Sequence, residues 1–205
     1  QYPPGTIHVA VIDPGVGTQR AMIMARLAGQ LYVLPDNGLL TPLLLTHGME
    51  QAYYLRETRW WRSTVSATFH GRDILAPVAA HLAMGAEPSL LGPVCSEPVR
   101  IPWPTARRGA GRLLGEVLFV DSFGNLITNL SRSDVESLGP PKSLAIACGG
   151  IAVEGIQATY GLSAPGQTIA LFDSHDRLEI AVVNGSAANL WQIDESAPVS
   201  VSISR

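Results

Sequence analysis

Six short runs rich in valine, isoleucine and leucine crowd the second half of the chain, at 113–120, 143–147, 151–157, 168–172, 177–183 and 199–203. Glycine-rich or polar breaks separate them. Each run has the length of a strand, and such side chains pack well on a pleated surface. Strands this short and this numerous bury their apolar faces by forming a small barrel or a sandwich. One short helix is expected at 133–138. Upstream, Pro93, Pro98, Pro102 and Pro104 fall in a stretch without apolar period, so residues 93–111 read as a stiff, extended linker. It separates a first domain at 1–92 from a second at 112–205.

The first domain mixes strand and helix. Residues 7–12, 22–27 and 31–34 read as strands, the last two flanking a turn at Ala28-Gly29. Ile74, Leu75, Val78, Ala79 and Leu82 recur at helical spacing, which predicts a helix over 73–84 ended by Gly85. With 46% hydrophobic and 15% charged residues, a chain of 205 residues can bury a full core. A net charge of −3 gives no basic stripe for nucleic acid. No apolar run approaches the roughly 20 residues that span a bilayer, and the first residues lack the layout of a secretory signal. Cys95 and Cys148 stand far apart and outside any CxxC, so neither a disulfide nor a zinc site is expected, and a reducing, cytoplasmic compartment is. The five histidines show no ligand spacing, so no metal is expected either.

Four runs carry chemistry, each with a plainer reading beside it. In VIDPGVGTQR (11–20) a strand ends on Asp13, turns through Pro-Gly-Val-Gly and presents Arg20 seven residues on. The plain reading is a turn in which Asp13 caps an amide; the other is a charged pair held at a loop. The phosphate-binding glycine spacings are absent. His70, in TFHGRD (68–73), is a structural histidine or a proton carrier. Arg72 and Asp73 order a helix start through charge-assisted hydrogen bonds. PDNGLLT (35–41) is a turn signal in its own right or a substrate contact. In DSFGNLITN (121–129), Asp121, Phe123 and Asn125 belong to a β-turn or face a ligand: an amide offers both a donor and an acceptor, and a carboxylate suits an ammonium.

Taken together and in this order, the four runs resemble the S-adenosyl-L-methionine (SAM) hydrolases, or SAM hydroxide adenosyltransferases, relatives of the SAM-dependent fluorinase and chlorinase. The resemblance covers nearly the whole chain. It implies an α/β first domain followed by a smaller all-β, barrel-like domain. It also implies a βαβ segment before residue 7, with a Thr-Asp-Phe-Gly run serving the ribose, so the first domain is expected to be truncated at its start. By resemblance, Asp13, Arg20 and His70 form the catalytic group. Asp121 takes the methionine ammonium, Phe123 packs nearby and Asn125 reads the adenine edge. Ser174, with Glu179 and Val182 from LEIAVVNGSAA (178–188), matches a further substrate-facing segment. Where the halogenases have an arginine after that serine, this chain has His175.

The activity implied is hydrolysis of SAM to adenosine and L-methionine, by attack of water or hydroxide at the ribose C5′, with SAM as substrate and no cofactor. The halogenases carry tyrosine and serine at the positions of His70 and Gly71, so the His-Gly pair points to the water-using branch. A SAM-dependent halogenase and a non-catalytic SAM or adenosine binder are the alternatives. A homotrimer with sites between subunits is also implied, with no nucleic acid or membrane as partner.

Overall fold

A computed structural model describes residues 2–204. The chain divides into two compact units, up to Trp103 and from Pro104 onward. In the first unit β1 (Ile7–Val9), β2 (Met22–Leu27), β3 (Gln30–Pro35), α1 (Thr41–His47) and β4 (Gln51–Tyr54) precede a π-helical turn (Gly71–Leu75) that runs into α2 (Ala76–Ala83). The sheet order is β1-β3-β2-β4, with β1 parallel to β3 and the other pairs antiparallel. Ala28 and Gly29 both have positive φ, which makes the tight two-residue hairpin joining β2 to β3.

Alternation along β2 sets the layers. Met22 and Met24 face Ile74, Leu75, Val78 and Leu82 of the turn and α2. Ile23, Ala25 and Leu27 face the opposite way, toward Leu40 and Leu44 at α1. The sheet is thus covered on both faces. The strand expected over 7–12 ends at Val9, although its apolar residues continue. Val9 pairs with Val33, so a continued ladder would set Val11 opposite Pro35, which has no N–H to give. Val11 and Ile12 leave the sheet and are exposed.

The second unit contains β5 (Arg107–Gly109), β6 (Arg112–Val120), β7 (Leu126–Ser131), α3 (Arg132–Glu136), β8 (Leu144–Cys148), β9 (Ile151–Glu154), β10 (Thr168–Phe172), β11 (Arg177–Val182), α4 (Ala187–Trp191) and β12 (Pro198–Ile203). Its strands form one sheet in the order β10-β11-β7-β6-β12-β8-β9, with β5 beside β6. Beyond β9, the Gln157 N–H donates to the Ala170 carbonyl of β10 at 2.8 Å. That bond brings the two ends of the sheet together, so the domain is a nearly closed barrel rather than a sandwich. Leu113, Val117, Leu126, Leu130, Leu144, Ile146, Leu178, Ile180, Val199 and Val201 fill it. The short helices are capped by Ser131 and Ser186, whose hydroxyls accept from the Asp134 and Asn189 N–H groups. Among the described residues, no helix is long and apolar enough to cross a membrane.

Candidate active site

The loop after β1 folds back on itself. Val16 N–H donates to the Asp13 carbonyl and Thr18 N–H to that of Gly15, two successive turns that return Arg20 to Asp13. Arg20 Nε donates to Asp13 Oδ1 at 2.8 Å and Nη2 donates to Oδ2, a two-pronged ion pair. The two side chains are only 10% and 6% exposed. Arg20 Nη2 also donates to His70 Nδ1 at 2.9 Å. Because a guanidinium cannot accept, Nδ1 must be the acceptor, and a neutral His70 ring carries its hydrogen on Nε2. Asn37 of the PDNG turn supports the loop from below, its Nδ2 donating to the Ile12 carbonyl at 2.9 Å.

Two glycines let the segments approach. A Cβ on Gly17, whose φ is +79°, would lie 2.7 Å from the Ala67 carbonyl oxygen; one on Gly71 would lie 2.5 Å from Val11 Cγ1. Any larger residue at either position would push the Asp13 loop and the His70 segment apart.

His70 stands at the entrance to the π-helical turn, which begins at Gly71, two residues before the expected helix start. Pro77 explains the departure from α geometry. It has no N–H for the Asp73 carbonyl, and the Arg62 N–H takes that carbonyl instead, at 2.9 Å. The Asp73 carboxylate is fully buried and accepts from Arg72 Nε at 2.7 Å, Ser66 N–H at 2.8 Å and Arg62 Nη1 at 3.3 Å. Its hydrogen bonds from Arg72 and Ser66 hold the carboxyl well below the usual carboxylate range, with the Arg62 charge adding to the effect. Arg72 also lies over the Phe69 ring, 4.9 Å from its centre. These contacts lock the backbone on both sides of His70. A cleft of about 240 Å³ opens at the site, walled by Asp13, His70, Phe69, Val11 and Arg72 among others.

In the second unit, Asp121 shapes the turn between β6 and β7. Its Oδ1 accepts from the Phe123 and Asn125 N–H groups, both at 2.9 Å, and its Oδ2 from Asn125 Nδ2 at 3.0 Å. The Asn125 side chain is thereby fixed, while Phe123 projects into solvent, 76% exposed. Phe123, Asn125 and Val182 line one cavity of about 490 Å³, with Tyr160 and residues 183–185. Ser174 lies on the β10–β11 turn, its Oγ 3.4 Å from His175 Nδ1. Glu179 is buried in β11 and accepts a hydrogen bond from the Tyr160 hydroxyl. Burial pushes the Glu179 carboxyl up, the Tyr160 bond opposes this, and the charges of Asp121 and Asp173 raise it further. Tyr160 carries no signal in the sequence, because a lone aromatic in a short irregular loop has no period to betray it.

Both halves of the chain match models of one family: residues 1–92 the SAM hydroxide adenosyltransferase N-terminal domain, and residues 115–200 its C-terminal domain. The chain belongs to the SAM hydroxide adenosyltransferase family. The chain is similar to the (R)-S-adenosyl-L-methionine hydrolase of Salinispora tropica, at 42% identity over 193 residues, which are 92% of this chain and 72% of that protein. It is 38% identical over 205 residues to the Thermus thermophilus protein of the same name, covering 96% of this chain and 76% of the relative. The fluorinase of an Actinoplanes species is more distant, at 30% identity over 67% of this chain and 55% of its own length. In structure, the family fold matches an uncharacterized conserved protein from Thermotoga maritima, with a TM-score of 0.90 and 30% identity over 98% of this chain and 79% of that one.

Proposed function

We propose that this chain hydrolyses SAM to adenosine and L-methionine, with Asp13, Arg20 and His70 activating the water. The observation that carries the reading is the hydrogen-bonded group of carboxylate, guanidinium and imidazole beside a cleft, in a chain of this family. The leaving group is a neutral thioether expelled from a sulfonium, so no general acid is needed. The site has to supply an oriented, polarised water and a fixed line of attack on C5′.

The hydrogen-bond directions support the following roles. Arg20 occupies one lone pair on each Asp13 oxygen, and the second lone pairs can accept from a water in the cleft. His70 Nδ1 is taken by Arg20, so the imidazole presents Nε2–H and orients the water as a donor. Asp13 then receives the proton, and Arg20 stabilises the developing hydroxide. At an effective dielectric near 20, a charge pair at ~4 Å gains about 4 kcal/mol before desolvation, and the two direct hydrogen bonds of the nine-tenths buried Asp13–Arg20 pair add to that attraction.

Asp121, Phe123, Asn125, Ser174 and Val182 are our substrate-binding set. Asn125 and Val182, on the larger cavity, suit adenine, and the carboxylates of Asp121 and Asp173 suit an ammonium. We further propose a homotrimer and a cytoplasmic location; the exposed Val11, Ile12 and Phe69 of the first unit and the two buried free thiols support these readings.

The test is product analysis after incubation with SAM in oxygen-18 water. The expected outcome is adenosine labelled at the 5′ oxygen, with the signal lost in Asp13→Ala. A wild-type chain that binds SAM and releases no adenosine would make it a binding protein. Sedimentation that finds an active monomer at micromolar concentration would refute the trimer.

A further inference from the structure

Residues 158–164, between β9 and β10, form an exposed loop, apart from half-buried Ser163. Its internal bonds are local: Ser163 N–H donates to the Tyr160 carbonyl, and Ala164 N–H to the Gln167 side chain. Among the described residues, the one hydrogen bond that ties this loop to a strand runs from the Tyr160 hydroxyl to Glu179 Oε1 on β11. The same tyrosine ring lines the larger cavity, facing a chamber otherwise walled by Phe123, Asn125 and the end of β11.

Glu179 is an expensive choice for its place. It is 4% exposed, on the strand face that also carries buried Ala181 and Val183, and its cross-strand neighbours are Leu171 and Ile127. None of the ion pairs among the described residues includes it. An apolar residue would avoid burying a carboxylate there. The phenol is the partner that offsets this cost, and the phenol belongs to the loop.

We infer that Glu179 is a positioning residue, which pins the 158–164 loop through Tyr160 and so holds an aromatic wall against the adenine ring of substrate and product. The inference rests on reading this cavity as the adenosine site. Glu179 does not touch the ligand in this arrangement and acts only through the tyrosine. Burial raises the Tyr160 hydroxyl's own pKa, so it remains a donor at neutral pH.

The experiment is calorimetric titration of adenosine into the full chain and its variants, with steady-state kinetics on SAM alongside. Glu179→Gln keeps an acceptor oxygen for the phenol and should bind within about threefold of wild type. Glu179→Leu and Tyr160→Phe should each weaken adenosine by about tenfold, with the change falling on KM more than on kcat. The double variant should be no weaker than either single one, because both remove the same bond. Tyr160→Phe, at an exposed loop position, decides the matter if Glu179→Leu fails to fold. Wild-type affinity in Tyr160→Phe, or losses that add in the double variant, would overturn the role of Glu179. A wild-type chain that does not take up adenosine would instead remove the functional reading on which it stands.

Discussion

Replacing Gly71 by alanine would set a methyl group 2.5 Å from Val11 Cγ1, with Cγ2 at 3.2 Å and Cβ at 3.4 Å. Ordinary contact starts near 3.4 Å, so one side has to give by about 1 Å. Val11 is β-branched and has few rotamers to escape into. His70 is the residue next to the substitution, and its 2.9 Å bond to Arg20 would stretch beyond hydrogen-bonding range. A displacement of that size costs on the order of 100-fold in rate, about 2.7 kcal/mol of barrier. Gly71→Ala should therefore lower kcat/KM for adenosine release by about 100-fold, measured by chromatographic product assay, while adenosine binding stays near wild type. Val11 is 56% exposed and can be trimmed at little cost, so Val11→Ala added to Gly71→Ala should restore most of the rate. An unimpaired Gly71→Ala would show that Val11 yields instead; a slow one not rescued by Val11→Ala would refute the steric reasoning.

Asp73→Asn should lower resistance to urea at pH 7. The folded carboxyl is held below its unfolded value of about 3.9, so its stabilisation is complete above that pH and fades as pH falls through the folded value. The deficit should shrink between about pH 4 and pH 2; an equal deficit at both ends would contradict the assignment. His70→Asn keeps an acceptor oxygen for Arg20 and should slow the reaction without altering the shape of its pH profile, whereas a lost limb would move the proton from Asp13 to His70. Burial pushes the Cys148 thiol up to about 11, and burial is also the main effect raising Cys95. Neither should react with a thiol reagent at pH 8 until denaturant is added; rapid labelling of the native chain would place one of them outside the core.

What could be read in advance follows the reach of the signals. The hairpin of β2 and β3 is announced by Ala28-Gly29, and β10 and β11 by their apolar runs. The seven-residue α1 is not, since Pro42 and three consecutive leucines leave less than two turns in which a period could develop. The strand β7 lay hidden in a motif, because its first five residues are all buried, Thr128 and Asn129 included, and no polar alternation marks it. Asp13 and Arg20 are legible as a pair seven residues apart on one loop. His70, fifty residues further on, joins them only by resemblance until the sheet and the π-helical turn are in place. The bond from Tyr160 to Glu179 leaves no trace in spacing or composition.

The π-helical turn separates two tasks that a regular helix would couple. In an α-helix each residue advances 100° about the axis, so the direction of a residue at the entrance is dictated by the face that the following turns bury. The widened turn takes up one extra residue between His70 and the core-facing Val78, breaking that phase relation. Removing a single residue from this stretch would leave α2 seated against the sheet and swing the imidazole roughly a quarter of the way around the axis. The direction of the imidazole is thus adjustable by chain length at one point, without disturbing the packing that holds the domain together.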